Sequence, residues 1–264
     1  MKNYKILIKN GTIADSKTQT KKDVLISNGK IKNVEKNIDS KADRIIDASQ
    51  KFIIPGVIDP QVHFREPGLT HKEDIKSGAR AAVCGGITTF FEMPNTNPAT
   101  TSSKLLEEKF KIAEKSSVAN FSFFLGATPN NIDEIKALKG NCGVKIFMGS
   151  STGDLLVDRD SDIEQIFKHC NKIIAIHSED EKILNETAKT FKKADFRDHP
   201  DIRPVRAAVA STNKAISFSL KYKKRLHILH LSTAEEVKII RKIKNTGLVT
   251  SETTPQHLLL SAPN

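Results

Sequence analysis

From Phe52 onward the chain alternates short apolar runs with amphipathic stretches, and this alternation constrains its fold more than any other feature. Parallel strands buried on both faces read as near-continuous Val/Ile/Leu/Phe runs. Runs of that kind occupy residues 52–58, 86–92, 120–126, 143–148, 172–177, 225–231 and 247–252. Helical periodicity fills 72–84, 103–116, 133–138, 160–171, 206–221 and 234–244. Strands alternating with helices build βαβ units around a parallel sheet. The expected fold is α/β, a (β/α)8 TIM-type barrel with seven strands present and the eighth missing. A sheet left open at seven strands carries two unpaired edges, which natural proteins avoid, so the chain is expected to stop before the barrel is complete.

The first fifty residues have another texture. Short β-like runs, YKILIKN, DVLISNG and KIKNVEK, are punctuated by Asn10-Gly11 and Asn28-Gly29. They predict a small antiparallel sheet, too small to stand alone. The expected division is 1–51 for this portion and 52–264 for the incomplete barrel.

Composition excludes several function classes. The net charge of +11 comes from scattered lysines, with short clusters at Lys21-Lys22, Lys192-Lys193 and Lys223-Lys224-Arg225. There is no tryptophan and no basic strand interleaved with aromatics, so no nucleic-acid partner is expected. No apolar run is long enough to span a membrane, and the N-terminus lacks the apolar core of a signal peptide. Cys84, Cys142 and Cys170 form no CxxC pair, which reads as free thiols in a reducing cytoplasm.

The candidate chemistry sits at the ends of the apolar runs, where a parallel barrel carries its active site. Alternation along the first strand would put Gln61, His63 and Arg65 on one face while extended geometry persists. Lys145 lies inside the apolar string GVKIFMG, where an unpaired ammonium is costly to bury. Either it snorkels to the strand end, or a partner or a modification such as carbamylation removes its charge. His177 closes the fifth run and His230 the sixth, and imidazole is a preferred zinc ligand. His227, three residues before His230, should face the other way and pack. His71, His169 and His199 have no such placement, and His257 has no assigned role.

The strings PGVIDPQVHFREPG, GGITTFFEMPNTNP, GVKIFMGSSTGD and HILHLST resemble, in order, the signatures of dihydroorotases of the amidohydrolase superfamily. The resemblance runs from about residue 50 to the end, and the small N-terminal sheet is similar to part of that family's β-sandwich. It implies a zinc-dependent enzyme, with one or two ions, that interconverts dihydroorotate and N-carbamoyl-L-aspartate in pyrimidine biosynthesis. Carried onto this chain, His63 would bind the more buried metal. Carboxylated Lys145 would bridge two ions, and His177 and His230 would hold the second. Arg65 and Asn95 would grip the substrate carboxylate. Two departures stand out. The family's His-x-His is here Gln61-x-His63, and the eighth-strand aspartate that serves as proton-transfer base is not found. Three alternatives follow: an allantoinase, a dihydropyrimidinase-like hydrolase, or a silent subunit that scaffolds aspartate transcarbamoylase. The family further suggests a homodimer acting on a small-molecule substrate.

Overall fold

The computed structural model describes residues 4–150 and 155–261. The chain forms two compact units divided after Val57. Among the described residues no helix is long and apolar enough to cross a membrane.

The first unit holds β1 (Lys5–Lys9), β2 (Thr12–Ala14), β3 (Gln19–Lys21), β4 (Asp23–Ser27), β5 (Lys30–Glu35), β6 (Arg44–Asp47) and β7 (Phe52–Ile53). They form two sheets rather than the one expected, in the orders β5-β4-β1-β6 and β3-β2-β7. Nor is either sheet purely antiparallel. β6 returns parallel to β1, and β7 parallel to β2, because each follows a connection long enough for a crossover. The β4–β5 hairpin turns where Asn-Gly predicts it, with Asn28 at φ 51° and Gly29 at φ 72°.

Buried Asp23 ties this unit together. Its two carboxylate oxygens accept the Asn10 N–H at 2.9 Å and the Ile38 N–H at 3.0 Å. These bonds, Ile38 first and then Asn10, hold its pKa below the ordinary 3.8. An amide at this position can accept only one of them and turns its NH2 on the other N–H. Asp23→Asn should therefore cost about 1–3 kcal/mol near neutral pH. The carboxylate's contribution is present above the unfolded pKa and is lost as pH falls through the lower folded one. Thermal melts across pH should show the gap to wild type closing only below about 3.8. A gap that persists unchanged into stronger acid would refute the assignment.

The second unit is a curled seven-stranded sheet in the order β14-β13-β12-β11-β10-β9-β8. Its strands are β8 (Val57–Val62), β9 (Ile87–Glu92), β10 (Asn120–Gly126), β11 (Gly143–Phe147), β12 (Ile173–His177), β13 (Leu226–Ile228) and β14 (Val249–Ser251). Neighbours from β9 to β14 pair in parallel. Helices connect them: α1 (Ile75–Cys84), α2 (Ser103–Ser116), α3 (Ile132–Ala137), α4 (Asp160–His169), α5 (Glu181–Ala188), α6 (His199–Ile202), α7 (Val205–Tyr222) and α8 (Ala234–Ile243), with α9 (Pro255–Leu259) after the last strand. The run 52–58 is not one strand as expected. Pro55 has no N–H to give a ladder, so Phe52–Ile53 pairs with β2 and the parallel sheet begins at Val57. Pro60 is tolerated in β8 because that strand is outermost.

Alternation sorts the strand side chains into two layers. Val144, Ile146, Ile174 and Ile176 join Phe90 and Phe123 in the core beneath the helices. On the other face, Met93, Phe124, Ala175 and Leu229 form a smaller cluster. Lys145 is in register with Ala175 and Phe147 with His177. The polar strand-end residues therefore project from the same layer as this second cluster.

Candidate active site

Gln61, His63, Lys145, His177 and His230 line one pocket, whose wall also includes Phe147, Thr254, Gln256 and His257. Four of the marked residues belong to or directly follow β8, β11 and β12. His230 lies two residues beyond β13, in left-handed backbone with φ 38°, rather than closing an extended strand as expected. Residues 151–154, the end of the GVKIFMGSSTGD string, lie outside the described residues.

Lys145 does not snorkel. It is 1% exposed, with Nζ 4.5 Å from the centroid of the Phe147 ring. Burial drives its pKa well below 10.5, opposed by the charge of Glu252. It forms no ion pair among the described residues. The buried amine is thus held in a setting that disfavours its ammonium form.

The three histidines are held neutral. Burial, reinforced by the charge of Arg65, lowers His63 to about 4. Burial lowers His230 to about 3. Burial also lowers His177, against the pull of Glu179. Neutral imidazoles are the form that can bind a metal. Each is also oriented by its neighbours. Nδ1 of His63 lies 2.8 Å from Asn95 Oδ1, an acceptor, which leaves Nε2 as the lone-pair nitrogen. Nε2 of His177 donates to Glu179 Oε2 at 2.6 Å, and its Nδ1 faces His230 Nε2 at 3.1 Å. Glu179 is in turn gripped by the Arg203 guanidinium, which also donates to Ser150 O at 2.9 Å. Among the described residues no three His, Cys, Asp or Glu side chains converge on one point. The residues fit a metal if the lysine, carrying a carboxylate, supplies the missing donor.

Arg65 and Asn95 are not among the residues lining this pocket, and Arg65 does not follow the alternation predicted for it. β8 ends at Val62, and Arg65 has φ 69°, so it shares no strand face with Gln61 and His63. Its N–H donates to Glu92 Oε1 at 2.9 Å and its Nη1 to Asn95 O at 3.2 Å. Asn95 is buried, and its Nδ2 has no partner among the described residues. A guanidinium thus stands next to a buried amide donor with nothing to donate to. The loops bearing these two residues interlock. Pro67 O accepts the Asn97 N–H at 3.0 Å, and at Gly68, φ 83°, a Cβ would meet Asn97 O at 1.9 Å.

The structure adds residues that sequence reasoning passed over. His257 lines the pocket. Glu179 and Arg203 buttress His177, and the only local hint was the acidic pair following that histidine. His227 does not face the other way as expected. Its register with Ala175, and through it with Lys145, puts it on the layer that carries the site, where it meets Thr250 Oγ1 at 2.8 Å and Glu252 at 3.1 Å without lining the pocket.

The dihydro-orotase-like family model matches residues 50–196. A dihydroorotase of Methanosphaera stadtmanae is 35% identical over 97% of this chain and 60% of its own length. An allantoinase of Bacillus velezensis is 30% identical over 98% of the chain and 59% of its own length. An L-hydantoinase from Arthrobacter aurescens superimposes with a TM-score of 0.93 at 29% identity, covering 98% of this chain and 60% of that one. The chain therefore spans about three fifths of the length of the relatives it matches. A curled parallel sheet of this kind, its polar strand ends gathered in one pocket and more than half the chain's length matched by one family model, leads to one conclusion: the chain belongs to the dihydro-orotase-like family.

Proposed function

We propose that the intact protein is a dihydroorotase, opening dihydroorotate to N-carbamoyl-L-aspartate and closing it again in pyrimidine biosynthesis. The observation that supports this reading is that Arg65 Nη1 donates to Asn95 O while the Nδ2 of the same asparagine is buried without a partner among the described residues. Together they offer a cation and a hydrogen-bond donor to a carboxylate. The clamp is one side chain from the pocket histidines, because Asn95 Oδ1 also holds His63 Nδ1.

His63, His177, His230 and a carboxylated Lys145 would hold one or two zinc ions, with Gln61 a weaker oxygen donor beside them. Zinc bound there would supply Lewis acidity, acidifying a water and polarising the ring amide carbonyl. The chain's own groups prepare the site. Arg65 and Asn95 would fix the ring by its exocyclic carboxylate, Asn95 and Glu179 set the tautomers of His63 and His177, and burial around Lys145 disfavours its ammonium, leaving the amine form that takes up CO2.

Allantoinase is the second reading, favoured by relatives such as the one of Bacillus velezensis. Allantoin and dihydrouracil have no exocyclic carboxylate for the clamp. The metal-loaded, full-length protein should prefer dihydroorotate to both by roughly a hundredfold or more in kcat/KM, since desolvated charge pairs are worth about 2–5 kcal/mol. A side-by-side assay decides, and a preference for allantoin would replace this reading with the second.

A further inference from the structure

Two ionisable side chains lie fully buried under the loop that carries Arg65, and nothing in the proposed reaction uses them. Glu92 ends β9 and Lys109 lies on the inner face of α2. Both side chains are 0% exposed, and Nζ stands 2.7 Å from Oε2. Lys109 also donates to Met93 O at 3.0 Å. The other carboxylate oxygen, Oε1, accepts the Arg65 N–H.

A buried ion pair is poor support for a fold, because apolar replacements of similar volume are often neutral or stabilising. Its connections point elsewhere. Arg65 is held in left-handed backbone, a conformation that costs a non-glycine residue free energy and persists only where its surroundings impose it. Glu92 imposes it by binding the N–H, and so fixes the direction in which the guanidinium leaves the chain. Lys109 holds the same carboxylate from its other side. Through Met93 O it also fixes the start of the segment that ends at Asn95, whose carbonyl receives Arg65 Nη1. One buried pair therefore braces both halves of the clamp.

We infer that Glu92 and Lys109 are positioning residues that set the geometry of the Arg65–Asn95 clamp, and with it the protein's affinity for a carboxylate-bearing ring. The inference rests on the dihydroorotase reading above. The test is steady-state kinetics on the metal-loaded, full-length protein with the charge-free double variant E92M/K109M, made in wild-type and R65M backgrounds. The double variant should keep its zinc and raise KM for dihydroorotate about tenfold, with kcat falling less than about threefold. In the R65M background the same change should move KM by less than about twofold, because little remains to be positioned. A merely structural pair gives another pattern: a smaller active fraction, lower kcat, unchanged KM and the same loss in both backgrounds. That pattern overturns the inference. Should the double variant not fold, E92D decides. It keeps the negative charge but draws the carboxylate back from the Arg65 N–H, so KM should rise with zinc content and kcat near wild type, and an unchanged KM overturns the inference. A wild type inert towards dihydroorotate defeats the functional reading and this inference together, whereas an active wild type whose variants keep their KM defeats the inference alone.

Discussion

Replacing Lys145 by methionine should give a folded protein that retains little zinc and has lost roughly a thousandfold or more in kcat/KM, the several kcal/mol that a metal supplies to this chemistry. Methionine matches the length of the side chain but cannot take up CO2 or bridge ions. Lys145→Ala should lose metal and turnover in the same way, with the added cost of a cavity. Stability should move in the opposite direction for the methionine variant. The wild-type amine is buried without an ion-pair partner among the described residues, which is costly, so in chelator K145M should melt at or above the wild-type temperature. Elemental analysis, a dihydroorotate assay and a thermal melt together check these outcomes. Wild-type zinc and turnover in either variant would sink the proposed metal site.

The second large effect belongs to Arg65. R65M should lose about 2–5 kcal/mol of transition-state stabilisation for dihydroorotate, roughly 30- to 5000-fold in kcat/KM, with zinc content unchanged. Any slow turnover of allantoin or dihydrouracil should be spared. Lysine should rescue little of the loss, because its ammonium lacks the planar fork with which Arg65 can bind Asn95 O and a carboxylate together. Equal losses on all three substrates would show that Arg65 supports the site rather than choosing the substrate.

Much of the fold was legible in the sequence because its elements are strongly periodic. The run at 120–126 and the helix at 103–116 coincide with β10 and α2, since an apolar burst ending in glycine and a serine-capped amphipathic stretch both carry clear local signals. The misreadings share a cause. The prolonged strand at 52–58 ignored Pro55, and the alternation assigned to Arg65 assumed extended backbone past Val62. Both are single-residue backbone events that periodicity averages away. The site was legible where it uses unusual residues in apolar strings, as at Lys145, and illegible where it depends on partners far along the chain. Glu179 finds Arg203 across 24 residues, and Asn95 finds His63 across 32. Lys109 is the instructive case. It occupies the buried stripe of α2 with Leu106 and Ala113, so a charge at a core position was visible, but its partner Glu92 was not. His257 rides on a five-residue helix too short to show a period.

The interlock between the loops after β8 and β9 bears on engineering. Arg65 and Asn95 stand on separate segments, but Pro67 is bonded to Asn97, Gly68 abuts the Asn97 carbonyl, and Arg65 binds both Glu92 and the Asn95 carbonyl. Each segment is the mould for the other. A chimera that imports one of them from an allantoinase would set a foreign backbone against a native one and lose the clamp without gaining a new pocket. Residues 63–68 and 92–97 should be transplanted as a single cassette, together with the lysine on α2, if substrate preference is to move with them.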